Sequence, residues 1–408
     1  MVRKVSCGLV LLLAMSTLRA WGAEKAAEAV AGTSGFSLRS GDGLYQLGIR
    51  GLLHIDGRYF PADGAPDTDN EFLLRRARLS FDGKFGDRIG FRLRPEASNG
   101  VTQVIDAYID AKIHDNLTLR AGKFKPPVGL ERLQAASDLR MIERSLVTEL
   151  VPSRDIGLQL SGTVSRVSWA VGIFNGVADG RTGDLGDDGK LEVAARVFAE
   201  PIARRDGGNT VFGFGIGTSS GSRAGSAGTP LFNSYRSAGQ NGVFSYRGGA
   251  DGTYADGERW RISPQAYWYR EAFGVLGEWA RVSHAVRRAA VDRSDDLVHD
   301  AWQITGEWNL TGGHTAYSGA PAAGAIQLVA RAEGLYIDDA TFAAGADSFA
   351  DPVVAVSEAR SLGLAINWFV WPGLKTSLVY RHTEFSGGAL AGDRADEQLL
   401  SVRMQFSF

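Results

Sequence analysis

Leu400-Ser401-Val402-Arg403-Met404-Gln405-Phe406-Ser407-Phe408 closes the chain. Leu400, Val402, Met404, Phe406 and Phe408 alternate strictly with Ser401, Arg403, Gln405 and Ser407. A period of two is the repeat of a β-strand, whose successive side chains point to opposite faces. One face of this segment is apolar throughout and the other polar throughout. A soluble protein has little reason to end on such a strand with a terminal aromatic. In a barrel that crosses a membrane, the apolar face meets lipid and the polar face meets a wet interior.

The same repeat runs back through most of the chain. Ile89, Phe91 and Leu93 oppose Arg88, Arg92 and Arg94. Ile105, Ala107, Ile109, Ala111 and Ile113 oppose Asp106, Tyr108, Asp110 and Lys112. Leu191, Val193 and Val197 oppose Glu192 and Arg196. This reading predicts strands over 44–60, 71–85, 87–96, 101–113, 115–124, 154–163, 166–175, 191–200, 210–219, 259–270, 273–284, 299–310, 324–337, 356–370, 373–385 and 397–408. That is about sixteen, and single-chain bacterial barrels have even strand numbers.

Short connections fall at Gly86-Asp87, Asp115-Asn116, Ser165, Phe273 and Trp371-Pro372-Gly373. Long ones fall at 61–70, 125–153, 176–190, 220–258, 285–298, 338–355 and 386–396. Short periplasmic turns and long extracellular loops have this rhythm. The connection 311–323 is longer than the rhythm predicts, and the Gly/Ser/Asn-rich stretch 220–258 reads as mobile. Trp368, Trp371 and Tyr380 lie near one turn, where a barrel places an aromatic girdle; an ordinary sheet also carries such aromatics. The expected fold is all-β: a transmembrane antiparallel β-barrel.

The N-terminus sets the compartment. Arg3 and Lys4 precede the apolar run Leu9–Met15, which is shorter than the ~20 residues a membrane helix needs. Small residues follow at Ala20, Gly22 and Ala23. Residues 1–23 therefore read as a secretory signal peptide, 24–43 as a periplasmic N-terminal segment and 44–408 as the barrel. Cys7, the single cysteine, lies in the signal, so neither disulfides nor thiolate chemistry belong to the mature chain. With 52 glycines and only 12 prolines, composition suits alternating strands. A formal net charge of -2 points to no partner such as nucleic acid.

Charge placement says more. Over 72–85, Leu73, Ala77, Leu79, Phe81 and Phe85 share one face, and Arg76, Arg78, Asp82 and Lys84 the other. Arginine or lysine facing lipid at mid-membrane costs about 2–4 kcal/mol, so the charged face must be the lumen. Arg76, Arg78, Lys84, Arg88, Arg92 and Arg94 would then form one wall of a pore. Such a basic wall attracts anions, because a narrow low-dielectric lumen focuses its field. The alternative is that these arginines brace the interior, with Asp82, Glu96, Asp106 and Asp110 as partners. Arg75 is out of phase with its neighbours, which suggests an interface position or a contact with another subunit.

Pro126-Pro127 opens the segment 125–153 and Pro152 closes it. Arg132, Ala136, Arg140 and Arg144 fall at helical spacing, with Leu130, Leu133 and Ile142 as apolar contacts. The expectation is an inward-folded constriction loop presenting Arg132, Arg140 and Arg144, with Glu131 and Glu143 as possible partners. A solvated external loop is the other reading.

No other pattern supports chemistry. His54, His114, His284, His299, His314 and His382 are scattered without metal-ligand spacing. Neither a nucleophile elbow nor a phosphate-binding loop is present, so the sequence predicts no enzyme, no metal and no cofactor. Gly213, Gly215 and Gly217 alternate on a strand and suit close packing. Asp184, Asp187, Asp188 and Glu192 read as a solvated acidic loop before a calcium loop.

Phe72-Leu73-Leu74-Arg75-Arg76-Ala77-Arg78-Leu79-Ser80-Phe81 and Gly122-Lys123-Phe124-Lys125-Pro126-Pro127-Val128-Gly129-Leu130-Glu131, with Glu143-Arg144 and Asp155-Ile156-Gly157-Leu158-Gln159, resemble the phosphate- and polyphosphate-selective porins of Gram-negative outer membranes. The terminal strand is similar to the ending that barrel-insertion machinery reads. The resemblance covers the whole mature chain. It implies a sixteen-stranded homotrimeric barrel in outer-membrane lipid, an inward loop, and an arginine ladder feeding a lysine-containing site for inorganic phosphate or polyphosphate. Arg75 and Arg76 match the family's Arg-Arg pair, and Arg132 the basic residue after Gly-Leu-Glu. The loop lysine of that site falls near Ser137 in this sequence, with Arg140 one helical turn away. The family's arginine-rich loop has a thin counterpart at Arg223, Arg236 and Arg247. These departures make anion preference a firmer expectation than phosphate selectivity.

Overall fold

The computed structural model describes residues 26–61, 70–98, 100–203, 209–388 and 394–408. The expected signal peptide lies outside the described residues. Two short strands come first, β1 (Glu28–Gly32) and β2 (Gly35–Arg39). Nine follow: β3 (Tyr45–Tyr59), β4 (Glu71–Phe85), β5 (Ile89–Ser98), β6 (Val101–His114), β7 (Leu117–Phe124), β8 (Asp155–Val164), β9 (Val167–Phe174), β10 (Glu192–Ile202) and β11 (Thr210–Ala224). After the small pair β12 (Tyr235–Arg236) and β13 (Gly242–Phe244), seven complete the sheet. They are β14 (Tyr254–Arg270), β15 (Phe273–Arg288), β16 (Arg293–Asn309), β17 (Ile326–Tyr336), β18 (Glu358–Trp371), β19 (Leu374–Ser386) and β20 (Glu397–Ser407).

Each long strand pairs antiparallel with the next, and β20 pairs with β3, from Leu400↔Tyr59 to Ser407↔Leu52. The sixteen strands β3–β11 and β14–β20 thus close into a barrel. The seam is held by the last residue. Gly51 N–H donates to the Phe408 carbonyl at 3.0 Å, and Phe408 N–H returns the bond at 3.2 Å. The Phe408 ring occupies the space a side chain at Gly51 would need.

Burial is inverted relative to a soluble protein. Leu79, Leu93, Ile109, Val171, Ile304, Leu364, Val402 and Met404 are exposed on the outside, while His54, Asp56, Arg76, Asp106, Arg261, Glu278, Gln303, Arg331 and Arg403 are buried inside. Lipid solvates the first set, and ion pairs with hydrogen bonds satisfy the second. Trp268, Phe273, Trp308, Trp368 and Trp371 are exposed near the short-turn end, the aromatic belt of a barrel. Tyr380 also faces outward but pairs with Leu364, away from that belt.

Several segments differ from the sequence reading. The N-terminal stretch carries the β1–β2 hairpin, which extends the wall below the end of β20 by pairing Phe36↔Ile49 through Arg39↔Gln46. The connection expected at 285–298 shrinks to four residues, 289–292, because β15 and β16 run on past the apolar pattern. The stretch read as mobile folds into the barrel: Tyr235, Val243, Phe244 and Tyr246 are buried against Val282, Leu297 and Leu335. The long connection 310–325 turns inward too, with Tyr317 stacked on Tyr267 at 5.2 Å. Aromatic side chains hidden in glycine-rich sequence explain both.

Candidate functional site

The loop 125–154 is tied to nearly every wall facing it. Glu278 of β15 accepts from Leu130 N (2.7 Å) and Glu131 N (2.9 Å). Glu333 of β17 accepts from Leu146 N (3.0 Å). Asn367 of β18 donates to the Arg140 carbonyl, and Lys375 of β19 to the Leu139 carbonyl, each at 2.9 Å. Gly217 of β11 lets the Val128 carbonyl come close; a Cβ there would stand 2.1 Å from it. This is the close packing that the alternating glycines suggested. The loop therefore lies inside the barrel.

It is not a continuous helix. One helical turn spans Leu130–Leu133, and 3-10 turns span Ala136–Asp138 and Leu146–Glu149. Leu146 N–H goes to Glu333 of the wall and Ser145 N–H to the Glu131 carboxylate, so neither is left for a helical bond, and tertiary contacts override the spacing. The predicted stripe is thereby split. Arg140 pairs with Glu307 at 2.7 Å and donates to Gly319 O at 3.3 Å, on the β16 side. Arg144 donates to Glu131 O (3.2 Å) and Gln134 O (2.7 Å). Arg132 donates to Thr148 O, and its Nε is buried without a partner among the described residues.

Lys125 belongs with Arg132 and Arg144. Its Nζ donates to Gln134 O at 2.8 Å and Leu133 O at 3.3 Å. Among the described residues, none of these three cations has a carboxylate within salt-bridge distance. Burial, with Arg144 and Arg154 nearby, holds the Lys125 amine well below the usual lysine range. Burial and neighbouring Arg132 lower Arg144 to about 9. Sequence reasoning missed Lys125 because it sits between β7 and the proline pair, outside the helical stripe. Its place before Pro126-Pro127 was the available signal.

The wall is arranged differently. Arg92 meets Asp82 at 2.5 Å, Arg94 meets Asp106 at 2.9 Å, and Arg78 pairs with Glu96. Arg120 binds both oxygens of Asp110, at 2.7 and 2.8 Å, and lies 3.9 Å from the Tyr108 ring centre. Each of these four is a register-paired neighbour across two strands. Arg154 adds a further contact to Asp106 at 2.8 Å. Lys84 is exposed near the end of β4, and Arg88 is exposed in the turn beyond it, so neither stands on the wall with the others.

Arg75 does not point away. The register steps from His54↔Arg76 to Ile55↔Leu74, leaving Arg75 as a bulge. A bulge re-aims a side chain without ending the strand. Both Arg75 and Arg76 consequently reach Glu143 of the loop, at 2.7 and 3.3 Å. Burial alone would raise the Glu143 carboxyl, but Arg75, Arg76 and Arg403 hold it well below the usual carboxylate range. The acidic loop residues are engaged as well: Asp184 with Lys123, Asp187 with Arg181, Asp188 with Arg223, and Glu192 with Arg259 and Arg261.

Two cavities are lined by some of these cations. One, of about 740 Å³ at the long-loop end, is lined by Arg58, Glu71, Arg75, Arg236 and Gln240. The other, of about 450 Å³ toward the short turns, is lined by Arg120, Lys125, Gln159, Ser161 and Arg196. Arg196 donates to Gln265 at 2.9 Å and packs over Phe198, again with no carboxylate within ion-pair distance among the described residues.

The family described as phosphate-selective porin O and P matches residues 47–408. No curated protein matches the sequence. Among solved structures, the outer membrane channel DcaP of Acinetobacter baumannii aligns over 89% of this chain and 97% of its own, at 11% identity and TM-score 0.59. The anion-selective porin of Comamonas acidovorans aligns over 89% and 100%, at 11% identity and TM-score 0.56. OmpF of Salmonella typhi, in a complex with daunomycin, aligns over 93% and 100%, at 10% identity and TM-score 0.56. At these identities the likeness is one of fold.

Proposed function

The chain belongs to the phosphate-selective porin O and P family, and on that premise we propose that it is a passive channel preferring anions, which takes up phosphate or polyphosphate across the bacterial outer membrane. The observation that carries this reading is the pair Arg132 and Arg144, guanidinium groups inside the barrel held by backbone carbonyls and not by carboxylates, with the Lys125 amine beside them on the Gln134 carbonyl that Arg144 also uses. A carboxylate about 3 Å away cancels most of a guanidinium's field; a carbonyl dipole cancels far less of it. At ~6 Å and an effective dielectric of ~20, one uncancelled charge attracts a monovalent anion by roughly 3 kcal/mol. Spreading several such charges along a path keeps each site weak enough to release its ion.

In this reading the anion enters past Arg58, Arg75 and Arg236 and leaves past Lys125, Arg120 and Arg196, while Lys84 and Arg88 ring the exit. Lys125 supplies the lysine that the family pattern would place near Ser137. Signal-peptide removal and assembly as a homotrimer in outer-membrane lipid complete the proposal. A second reading, a general porin for other small solutes, is favoured by the carboxylate partners of Arg78, Arg92 and Arg94, which suit structural braces. Single-channel current in planar bilayers separates the two. The proposal expects a reversal potential favouring chloride in a salt gradient and block of chloride current by phosphate. Cation preference, or no channel, would overturn it; anion preference without block would leave the general porin.

A further inference from the structure

Glu143 lies in an unusual setting for a loop carboxylate. Its Oε1 is 2.7 Å from Arg75 Nε, 3.2 Å from Arg403 Nη2 and 3.9 Å from Arg58 Nη2. Its Oε2 is 3.2 Å from Arg75 Nη2 and 3.3 Å from Arg76 Nη2. Four arginines from three strands, β3, β4 and β20, thus converge on one carboxylate. Asp56 also binds Arg403, through both oxygens at 2.6 Å, and Glu71 touches Arg58 from a half-exposed position at 3.4 Å. Bracing the loop requires one guanidinium. Several planar donor forks around one pair of oxygens make a receptor for an oxyanion.

The cradle also has an open side. Arg58 and Arg75 line the 740 Å³ cavity at the long-loop end, whereas Glu143 enters from the loop. Arg58 is 8% exposed, and its Nη2 has no hydrogen-bond partner among the described residues; Glu143 is too far to accept from it. A buried guanidinium donor left unmade is costly unless something else meets it.

We propose that the cradle of Arg58, Arg75, Arg76 and Arg403 is an oxyanion-binding site at the outer mouth, and that Glu143 is its tethered competitor. A phosphate-class anion arriving in the cavity bonds Arg58 and Arg75 and displaces the carboxylate from part of its shell. The carboxylate then weakens binding from within and speeds release toward the loop. This inference rests on the reading of the chain as an anion channel and names a site and its affinity control.

The test is phosphate block of single-channel chloride current for the full-length protein and Glu143→Gln, with heat-modifiable migration on gels as the check of folding. Removing the competing charge should lower the half-blocking concentration of inorganic phosphate at least tenfold. An unchanged or higher value in a folded Glu143→Gln barrel overturns the inference. Should that variant not fold, Glu143→Asp decides: its shorter reach should lower the value at least threefold, and no change overturns the inference. Arg58→Gln in the parent should weaken block several-fold, and unchanged block counts against the open side. A parent channel without anion preference sinks the functional reading itself. An anion-selective parent with block indifferent to position 143 sinks only the competitor.

Discussion

On the wall, Arg78, Arg92, Arg94 and Arg120 each meet a carboxylate on the neighbouring strand; on the loop, Lys125, Arg132 and Arg144 meet only carbonyls. The wall holds the more conspicuous run of arginines, yet its charge is largely balanced where it stands. Of the loop's cations, Arg140 pairs with Glu307 and Arg154 with Asp106, while Lys125, Arg132 and Arg144 have no carboxylate within ion-pair distance among the described residues. On the proposed reading, a count of basic residues ranks the two regions in the wrong order for attracting an anion. What matters is the distance from each cation to the nearest negative charge.

The sharpest way to break the comparison is the double substitution Lys125→Gln/Arg144→Gln. It removes two unbalanced charges, each worth roughly 1–3 kcal/mol to a nearby anion, and should lower the chloride-over-potassium permeability ratio at least about fivefold. A ratio that stays at the parent value would return selectivity to the wall. A smaller effect is expected from Glu96→Gln, which strands Arg78 without its partner. That should cost roughly 1.5–3 kcal/mol of barrel stability, read as earlier heat unfolding in detergent, and raise anion preference slightly. Adding Arg78→Gln should recover most of the stability and leave the permeability ratio near the parent's. If the pair were a permeation site, the double variant would lose selectivity instead. The smallest effect belongs to Lys84→Gln/Arg88→Gln. These charges are solvated at the rim and screened by salt, so the ratio should stay within about twofold at high ionic strength. A larger drop would show that the rim contributes as much as the loop.

Strand positions were legible almost throughout, because lipid on one side and water on the other impose a rule at every second residue. The exceptions have local causes. Arg75 broke the alternation, and the sequence could not say that a bulge would turn it inward beside Arg76. Strands β15 and β16 continue where the apolar pattern has ended, Ala285 opposite Asp296 and Arg287 opposite Ser294, so the pattern stopped before the strands did. The site was legible in part. Arg132, Arg140 and Arg144 all lie in a loop inside the barrel, but the helical spacing that grouped them is one the loop does not adopt, and Lys125 was passed over.

The sequence alone determined the inverted barrel, its strand positions and the wetness of the charged face, since each follows from whether single residues tolerate lipid. Tertiary structure decided which cations remain unbalanced. Glu143 meets Arg403 across 260 positions of chain, and Glu131 meets Arg331 across 200. Such pairings depend on register, on one bulge and on the path of a loop through the lumen, and no local pattern encodes them. The electrostatic character of a pore is the residue left after those pairings are made.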